Sequence, residues 1–472
     1  MVCSAACLVF GSAAASTQQH IRHIEDHLLP ATTVNGQRLR TTTLIRQMRE
    51  SGVPGVSIAF FRGGRIEWTD AVGVTHLGGA AVDSNTVFQA ASISKPLTAI
   101  AVLSLKQSGK LDLDRDVNDY LGSWKLPEGR ATATEHVTIR RLLNHTAGVS
   151  VHGFDGYPSG QSLPSLIEVL NGAPPANSPP IRVTSLPGTG WSYSGGGYVI
   201  LEQLLNELTG TPFVQLMDQA VLKPAGMHRS SFEQPVAAGL RANAAAPYDA
   251  KGQPVPGGAH TYPEEAPAGL WTTPTDLARL AINLQHSLAG KPGILLQETA
   301  REMLQPGKGS WGLGFRVGGG DHPYFMHGGW NAGFRSILIV FGEGDGIAVM
   351  TNGDGGLAIM SALVRTVAAE YGWPAFKPGV HKTVHLAASE LDRFVGNYRL
   401  DADVTITVSR KGERLNMQIA DDAPSELTAE GRAAFFSAAS NTQVTFQFDA
   451  HRRAANVRID TLLATYDGTR LQ

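Results

Sequence analysis

The sequence predicts an α+β protein: an antiparallel sheet flanked by helices, an all-helical region beside it, and a small all-β domain at the C-terminus. A strand–turn–strand unit precedes any long helix, which suits a hairpin-built sheet better than alternating βα units. Helical patterns then alternate with loop-rich stretches as far as about residue 372. From Leu391 the texture changes to short β-rich runs divided by turn residues. With 42% hydrophobic and 17% charged residues, the 472-residue chain has ample material for a large core and is not a disordered one. Its 39 basic and 41 acidic residues leave a net charge of -2, which argues against a nucleic-acid binder.

The start, residues 1–15, is apolar and ends in Ala13-Ala14-Ala15; it is expected to be a signal peptide, although it lacks a basic n-region, and so to direct export to the periplasm. Cys3 and Cys7 are the only cysteines, so no disulfide framework or cysteine-based zinc site is available beyond them. No stretch reaches the ~20 apolar residues of a spanning helix. Residues 42–51 are expected to form a helix, and Val56 to Phe61 a strand that turns at Gly63-Gly64 and returns through Ile66-Glu67-Trp68. Helices follow at 92–107, Ile139 to Asn144, 196–209 and 274–289. Between them, Gly153 to Gly190 is a long Pro-, Gly- and Ser-rich loop, of the kind that often walls a site. Buried strands are expected at 335–341 and 346–351, then a helix over 356–371. The domain reading is a leader at 1–15, a main domain at 16–372, a linker at 373–388 and a β-barrel-like domain at 389–472.

Chemistry concentrates in three places. Ser92 and Lys95 are three residues apart at a helix start, which puts both on one face with their heads in contact. A serine hydroxyl needs a base, and a lysine can serve if burial or positive surroundings depress its pKa. The partial positive charge of a helix N-terminus disfavours the ammonium and favours a developing oxyanion. Tyr193, in WSYSGGGY, is a candidate proton shuttle; its bland reading is a core aromatic. His327-Gly328-Gly329-Trp330 precedes the buried strands as an edge strand, and an N–H of that edge could join that of Ser92 in an oxyanion hole; the bland reading of His327 is a turn histidine. Trp271 and Trp330 could line an acyl pocket or pack in the core. His20, His23 and His27 could hold a metal, but a solvated helix face is the expectation.

The ordered set Ser92-x-x-Lys95, Tyr193 and His327-x-Gly329 resembles the serine β-lactamase-related superfamily: class C β-lactamases, D-Ala-D-Ala carboxypeptidases, D-aminopeptidases and family VIII-type esterases. Phe88 to Ala91, Leu142 to Gly148 and Ala268 to Ala278 match flanking segments of that family, and the resemblance covers about residues 40–372. It implies the β-lactamase/penicillin-binding-protein fold, and Leu391 to Tyr398 resembles the start of an appended lipocalin-like domain. By resemblance, Ser92 is the acylated nucleophile, Lys95 and Tyr193 share the general-base duty, the N–H groups of Ser92 and Trp330 form the oxyanion hole, and His327 and Gly329 line the site. No metal or cofactor is implied.

Two departures shape the expected substrate. The family's Tyr-x-Asn is here Tyr193-Ser194-Gly195, without the amide that contacts the lysine and the substrate. His327 replaces a lysine that supports carboxylate binding; near its ordinary pKa of ~6.5 it is expected to be half-charged and a weaker anchor. Both favour a serine hydrolase acting on small esters or amides. The alternatives are a D-Ala-D-Ala carboxypeptidase, D-aminopeptidase or weak β-lactamase, and a non-catalytic penicillin-binding-protein-like protein.

Overall fold

The computed structural model describes residues 17–34, 39–342, 344–400, 404–419, 424–450, 452–462 and 465–471. The leader expected over 1–15 lies outside them. The chain divides into two compact units, residues 48–360 and residues 1–47 with 361–472.

The first unit is built on a six-stranded antiparallel sheet: β1 (Gly55–Arg62), β2 (Arg65–Gly73), β3 (Arg316–Gly318), β4 (Tyr324–Asn331), β5 (Phe334–Phe341) and β6 (Gly346–Thr351). Their spatial order is β2-β1-β6-β5-β4-β3. The expected β1–β2 hairpin is present. Gly63 and Gly64 both have positive φ (58° and 77°), which gives the turn a twist matching that of its strands. Strands β5 and β6 are buried along nearly their whole length, so they are continuously apolar rather than alternating.

One strand was not expected: β3 is only three residues long. β4 is the strand expected to carry His327, and β3 pairs outside it as far as Met326. Glycines at two of the eight β4 positions, Gly328 and Gly329, weaken its own strand propensity, but pairing with the apolar β5 secures it. Asn331 and Phe334 flank the two-residue turn Ala332-Gly333, which sets the register His327↔Leu338 and Gly329↔Ser336.

Helix α1 (Ser94–Gln107) is buried on every face from Ser94 to Leu103. The expected helix start at 92 is instead a short 3-10 turn, Ala91–Ile93, in which Ala91 has φ +51°. Helix α2 (Gly195–Thr209) is capped by the Ser194 hydroxyl and ends at Gly210, whose positive φ closes it. The four-residue α3 (Glu265–Ala268) packs against both α1 and α2. Helix α4 (Pro274–Leu288) starts at a Thr273 cap and lies on the sheet, where Gln285 Nε2 donates to the Phe341 carbonyl at 2.8 Å. The long loop 153–190 contains one helical turn and a half, Leu166–Asn171, held by a Ser165–Glu168 capping box.

In the second unit, Thr32–Val34 pairs in parallel with Gly379–His381, inside the stretch expected to be a linker. His20 and His23, on the helix at 17–26, both bond to the Glu370 carboxylate, so that face is not simply solvated. The C-terminal strands close a barrel: β7 (Gly396–Arg399), β8 (Thr405–Lys411), β9 (Arg414–Ile419), β10 (Ser425–Ala429), β11 (Ala434–Phe436), β12 (Gln443–Phe448), β13 (Ala454–Asp460) and β14 (Thr465–Arg470). The sequence texture showed five of the eight. GNYR, SELTA and TYDGTR carry too little alternation to stand out, and closure of the sheet brings them in. Inward residues such as Ile406, Val408, Tyr398 and Phe446 fill the lumen.

Phe394 is 1% exposed, with Phe435, Phe446 and Phe448 rings at 4.8, 4.9 and 5.4 Å. Phe394→Ala is expected to cost about 3–5 kcal/mol of the stability of this unit, read as a lower midpoint in urea unfolding.

Candidate active site

The site is assembled where the Ala91–Ile93 turn, α1, α3 and β4 converge. The Ala90 N–H donates to the Leu270 carbonyl at 2.8 Å, the Ser94 hydroxyl donates to the Ala91 carbonyl at 2.6 Å, and the Leu270 N–H donates to Ser94 Oγ at 3.0 Å. A positive φ at a residue with a Cβ costs on the order of 1–3 kcal/mol and persists only where its surroundings over-determine it. These three bonds do so at Ala91, and they place Ser92 partly exposed at the tip of the turn. Ser94 is a structural residue, fully buried by the same bonds.

Lys95 Nζ donates to Ser92 Oγ at 3.0 Å and to the Pro267 carbonyl at 3.1 Å. The side chain is 2% exposed, and burial lowers its pKa to about 7. Nζ also lies 4.9 Å from the Tyr193 ring centre and 5.7 Å from that of Tyr198. Tyr193 therefore joins Ser92 and Lys95. Its ring packs on His145 at 4.3 Å and His152 at 4.9 Å, with Trp311 edge-on at 5.6 Å and His327 at 6.2 Å.

Residues flanking a two-residue turn exchange ladder bonds, and the bonding then alternates along the strand. His327, Gly329 and Asn331 accordingly bond to β5, while Gly328 and Trp330 direct their N–H and C=O groups away from it. Strand β3 pairs only as far as Met326, so this outward edge passes beside the Ala91–Ile93 turn. A Cβ on Gly329 would lie 2.1 Å from the Ala90 carbonyl oxygen, so only glycine permits this approach. Ser336 Oγ donates to the same carbonyl at 2.8 Å, and Asn331 Nδ2 donates to Gln89 Oε1 at 2.7 Å.

One expectation needs correction, and two open alternatives are decided. His327 is not half-charged: burial, with Lys95 nearby, lowers its pKa to about 3. Its Nδ1–H donates to the Gly328 carbonyl at 2.6 Å, leaving a neutral ring. Trp271 is a core residue, 1% exposed and edge-on to Phe334. The Trp330 ring lies 39% exposed beneath the Arg335 guanidinium. At Gly195, the N–H donates to the His152 carbonyl, and a Cβ would meet Phe154 Cε2 at 3.0 Å. The space of the absent amide side chain is thus bordered by an aromatic ring.

Other participants carried no separable signal in the sequence. His145 is buried with φ +62°, and its Nδ1 accepts from the Ser194 N–H at 3.1 Å. Burial holds its pKa well below the ordinary value, so it is neutral, with the proton on Nε2. At α3 lie two buried carboxyls, Glu202 and Glu264, and the half-buried Glu265. Burial raises Glu264 to about 7 and Glu265 to about 8, and it holds Glu202 well above the usual range. Among the described residues no cluster of three His, Cys, Asp or Glu side chains could hold a metal ion. Among the same residues no helix is long and apolar enough to cross a membrane.

Residues 41–370 match the family model described as Beta-lactamase, and residues 381–472 match a domain of unknown function, DUF3471. The chain is 29% identical over 348 residues to penicillin-binding protein 4 of Amycolatopsis lactamdurans, covering 68% of this chain and 86% of that one. It is 30% identical over 195 residues to esterase EstB of Burkholderia gladioli, covering 39% of this chain and 48% of that one. The octameric penicillin-binding protein homologue from Pyrococcus abyssi shares the fold, with a TM-score of 0.61 at 20% identity over 90% of this chain and 98% of that one.

Glu264 is fully buried and both its carboxyl oxygens lack a hydrogen-bond partner among the described residues. Its raised pKa keeps it protonated in the fold where the unfolded chain has ionised, so its contribution falls as pH rises from about 4.5 to about 7. At ~1.4 kcal/mol per pH unit this is a loss on the order of 3 kcal/mol above pH 7. Glu264→Gln removes the titration. Its melting temperature relative to wild type should therefore climb by a few degrees between pH 5 and pH 8, and a pH-independent difference would contradict this account.

Proposed function

The chain belongs to the Beta-lactamase family, and we propose that it is a serine hydrolase cleaving small ester or amide substrates through an acyl intermediate on Ser92. The observation that carries this reading is the 3.0 Å contact between Ser92 Oγ and the buried Lys95 amine, whose pKa of about 7 leaves it a substantial unprotonated fraction at neutral pH.

In this mechanism the neutral Lys95 amine takes the Ser92 hydroxyl proton as Oγ bonds to the substrate carbonyl carbon. The N–H groups of Ser92 and Trp330 hold the resulting oxyanion; the outward direction of the Trp330 N–H supports that role. The new ammonium keeps the Pro267 carbonyl as acceptor and the faces of Tyr193 and Tyr198 as neighbours. Tyr193 relays the proton to the leaving alcohol or amine. Water then attacks the acyl carbon with proton transfer to the same base, which restores the Ser92 hydroxyl and releases the acid.

The substrate class follows from what borders Ser92. A neutral His327 offers no fixed positive charge to a substrate carboxylate. Phe154 and the His152 carbonyl, not an amide side chain, border Gly195. Both features favour acyl groups without a carboxylate or a peptide bond to be recognised, hence esters first. The likeness to penicillin-binding protein 4 supports the second reading, a D-Ala-D-Ala carboxypeptidase or D-aminopeptidase.

Ser92→Ala is expected to abolish turnover of p-nitrophenyl esters and labelling by a fluorophosphonate, with the circular dichroism unchanged. Lys95→Met should lower turnover by about 10²–10⁴-fold. Undiminished turnover in Ser92→Ala would refute the mechanism. The wild-type acylation rate should rise with pH through about 7 and level off above it, because the base must be unprotonated. Labelling that penicillin does not block selects the esterase; labelling that it blocks selects the peptidase.

A further inference from the structure

Helix α3 is a four-residue turn whose backbone polar groups are nearly all committed to elements of the site. The Ala266 carbonyl accepts from Thr98 Oγ1 at 3.1 Å, the Pro267 carbonyl accepts from Lys95 Nζ, and the Ala268 carbonyl accepts from Asn331 Nδ2 at 3.2 Å. The Ala266 N–H donates to Glu202 Oε2 at 2.8 Å. Glu202 is on α2, the helix that begins two residues after Tyr193, and it is 3% exposed. A carboxyl group sealed this deeply within a first-layer helix needs a reason. Its neighbour Glu265 lines a surface pocket of about 460 Å³ together with Asn206, Thr211 and Phe213, so Glu265 meets solvent where Glu202 does not.

We propose that Glu202 is a positioning residue for Lys95: by accepting the Ala266 N–H it fixes the turn whose next carbonyl, that of Pro267, holds the lysine head against Ser92. This deepens the hydrolase reading and rests on it for its catalytic meaning. The titratable groups around Lys95 are Tyr193, Tyr198, His145 and His327. Those around Glu202 are Glu265 and Glu264. Among the described residues no cation acts on Lys95 or Glu202, and burial keeps Glu202 protonated, so what it supplies is an acceptor oxygen rather than a charge.

Glu202→Gln keeps that oxygen and Glu202→Met removes it at similar length. Ala266→Pro removes the same bond from the donor side, at a first-turn position that tolerates proline. Two measurements are made on each full-length variant: the pH dependence of fluorophosphonate labelling at Ser92, and the titration of Lys95 followed by NMR of ¹⁵Nζ-labelled lysine. Glu202→Met and Ala266→Pro should each slow plateau labelling by about tenfold, because a small misplacement of the base is costly. Each should also move the Lys95 midpoint to lower pH, because the buried ammonium loses an aimed acceptor. Glu202→Gln should stay within about threefold of wild type, with the midpoint unmoved. A lower melting temperature in Glu202→Met with midpoint and plateau unchanged would overturn the proposal, as would a Glu202→Gln variant as impaired as Glu202→Met. Absence of labelling in the wild type would refute the hydrolase reading alone, and the NMR titration would still decide the role of Glu202.

Discussion

The burial of one amine organises this site. Lys95 sits at 2% exposure with Ser92 Oγ and the Pro267 carbonyl as hydrogen-bond acceptors and two tyrosine rings beside it. An ammonium taken out of water is stable only if its remaining partners are placed accurately, and a free amine there is basic enough to accept a serine proton. The structure around it consists largely of ways to hold those partners still. The strained Ala91 turn presents Ser92, and the 266–270 segment presents the carbonyl. Both are bonded to the same hairpin, the first through Ser336 on β5 and the second through Asn331 on β4.

The same dryness sets the charge state of everything nearby. His327 and His145 are held neutral, while Glu202, Glu264 and Glu265 are pushed toward the protonated form. His327 and His145 therefore bring no fixed charge to the surroundings of Ser92. Desolvation is the largest cause in each case, so these shifts share one physical origin, namely close packing of α1, α2 and α3. The aromatic wall of Tyr193, Trp191, Trp311 and His145 continues that packing as far as His327 on β4.

The hairpin at Gly63-Gly64, the buried pair β5–β6 and the helices α2 and α4 were legible because each is a local pattern: a turn dipeptide, an apolar run, a capped amphipathic period. Strands β3, β7, β10 and β14 were not. Their glycines and polar residues have no strand preference of their own, and only a neighbouring strand with unpaired backbone groups makes them strands. Ser92 and Lys95 were legible as a pair because a spacing of three is a local contact. The hydrogen bond from Lys95 to Pro267 spans 172 residues, and no spacing could announce it.

By itself the sequence determined the class of the fold, the order of its helices and the residue types brought to the site, since these follow from local periodicity and from the ordered Ser92, Lys95, Tyr193 and His327. Tertiary structure alone decided the state of those residues. It lowered the pKa of the Lys95 amine, left His327 a neutral ring, gave the Trp330 N–H its outward direction, and put Phe154 beside Gly195. Burial and strand register belong to contacts between distant segments, and a pKa follows burial, not residue type.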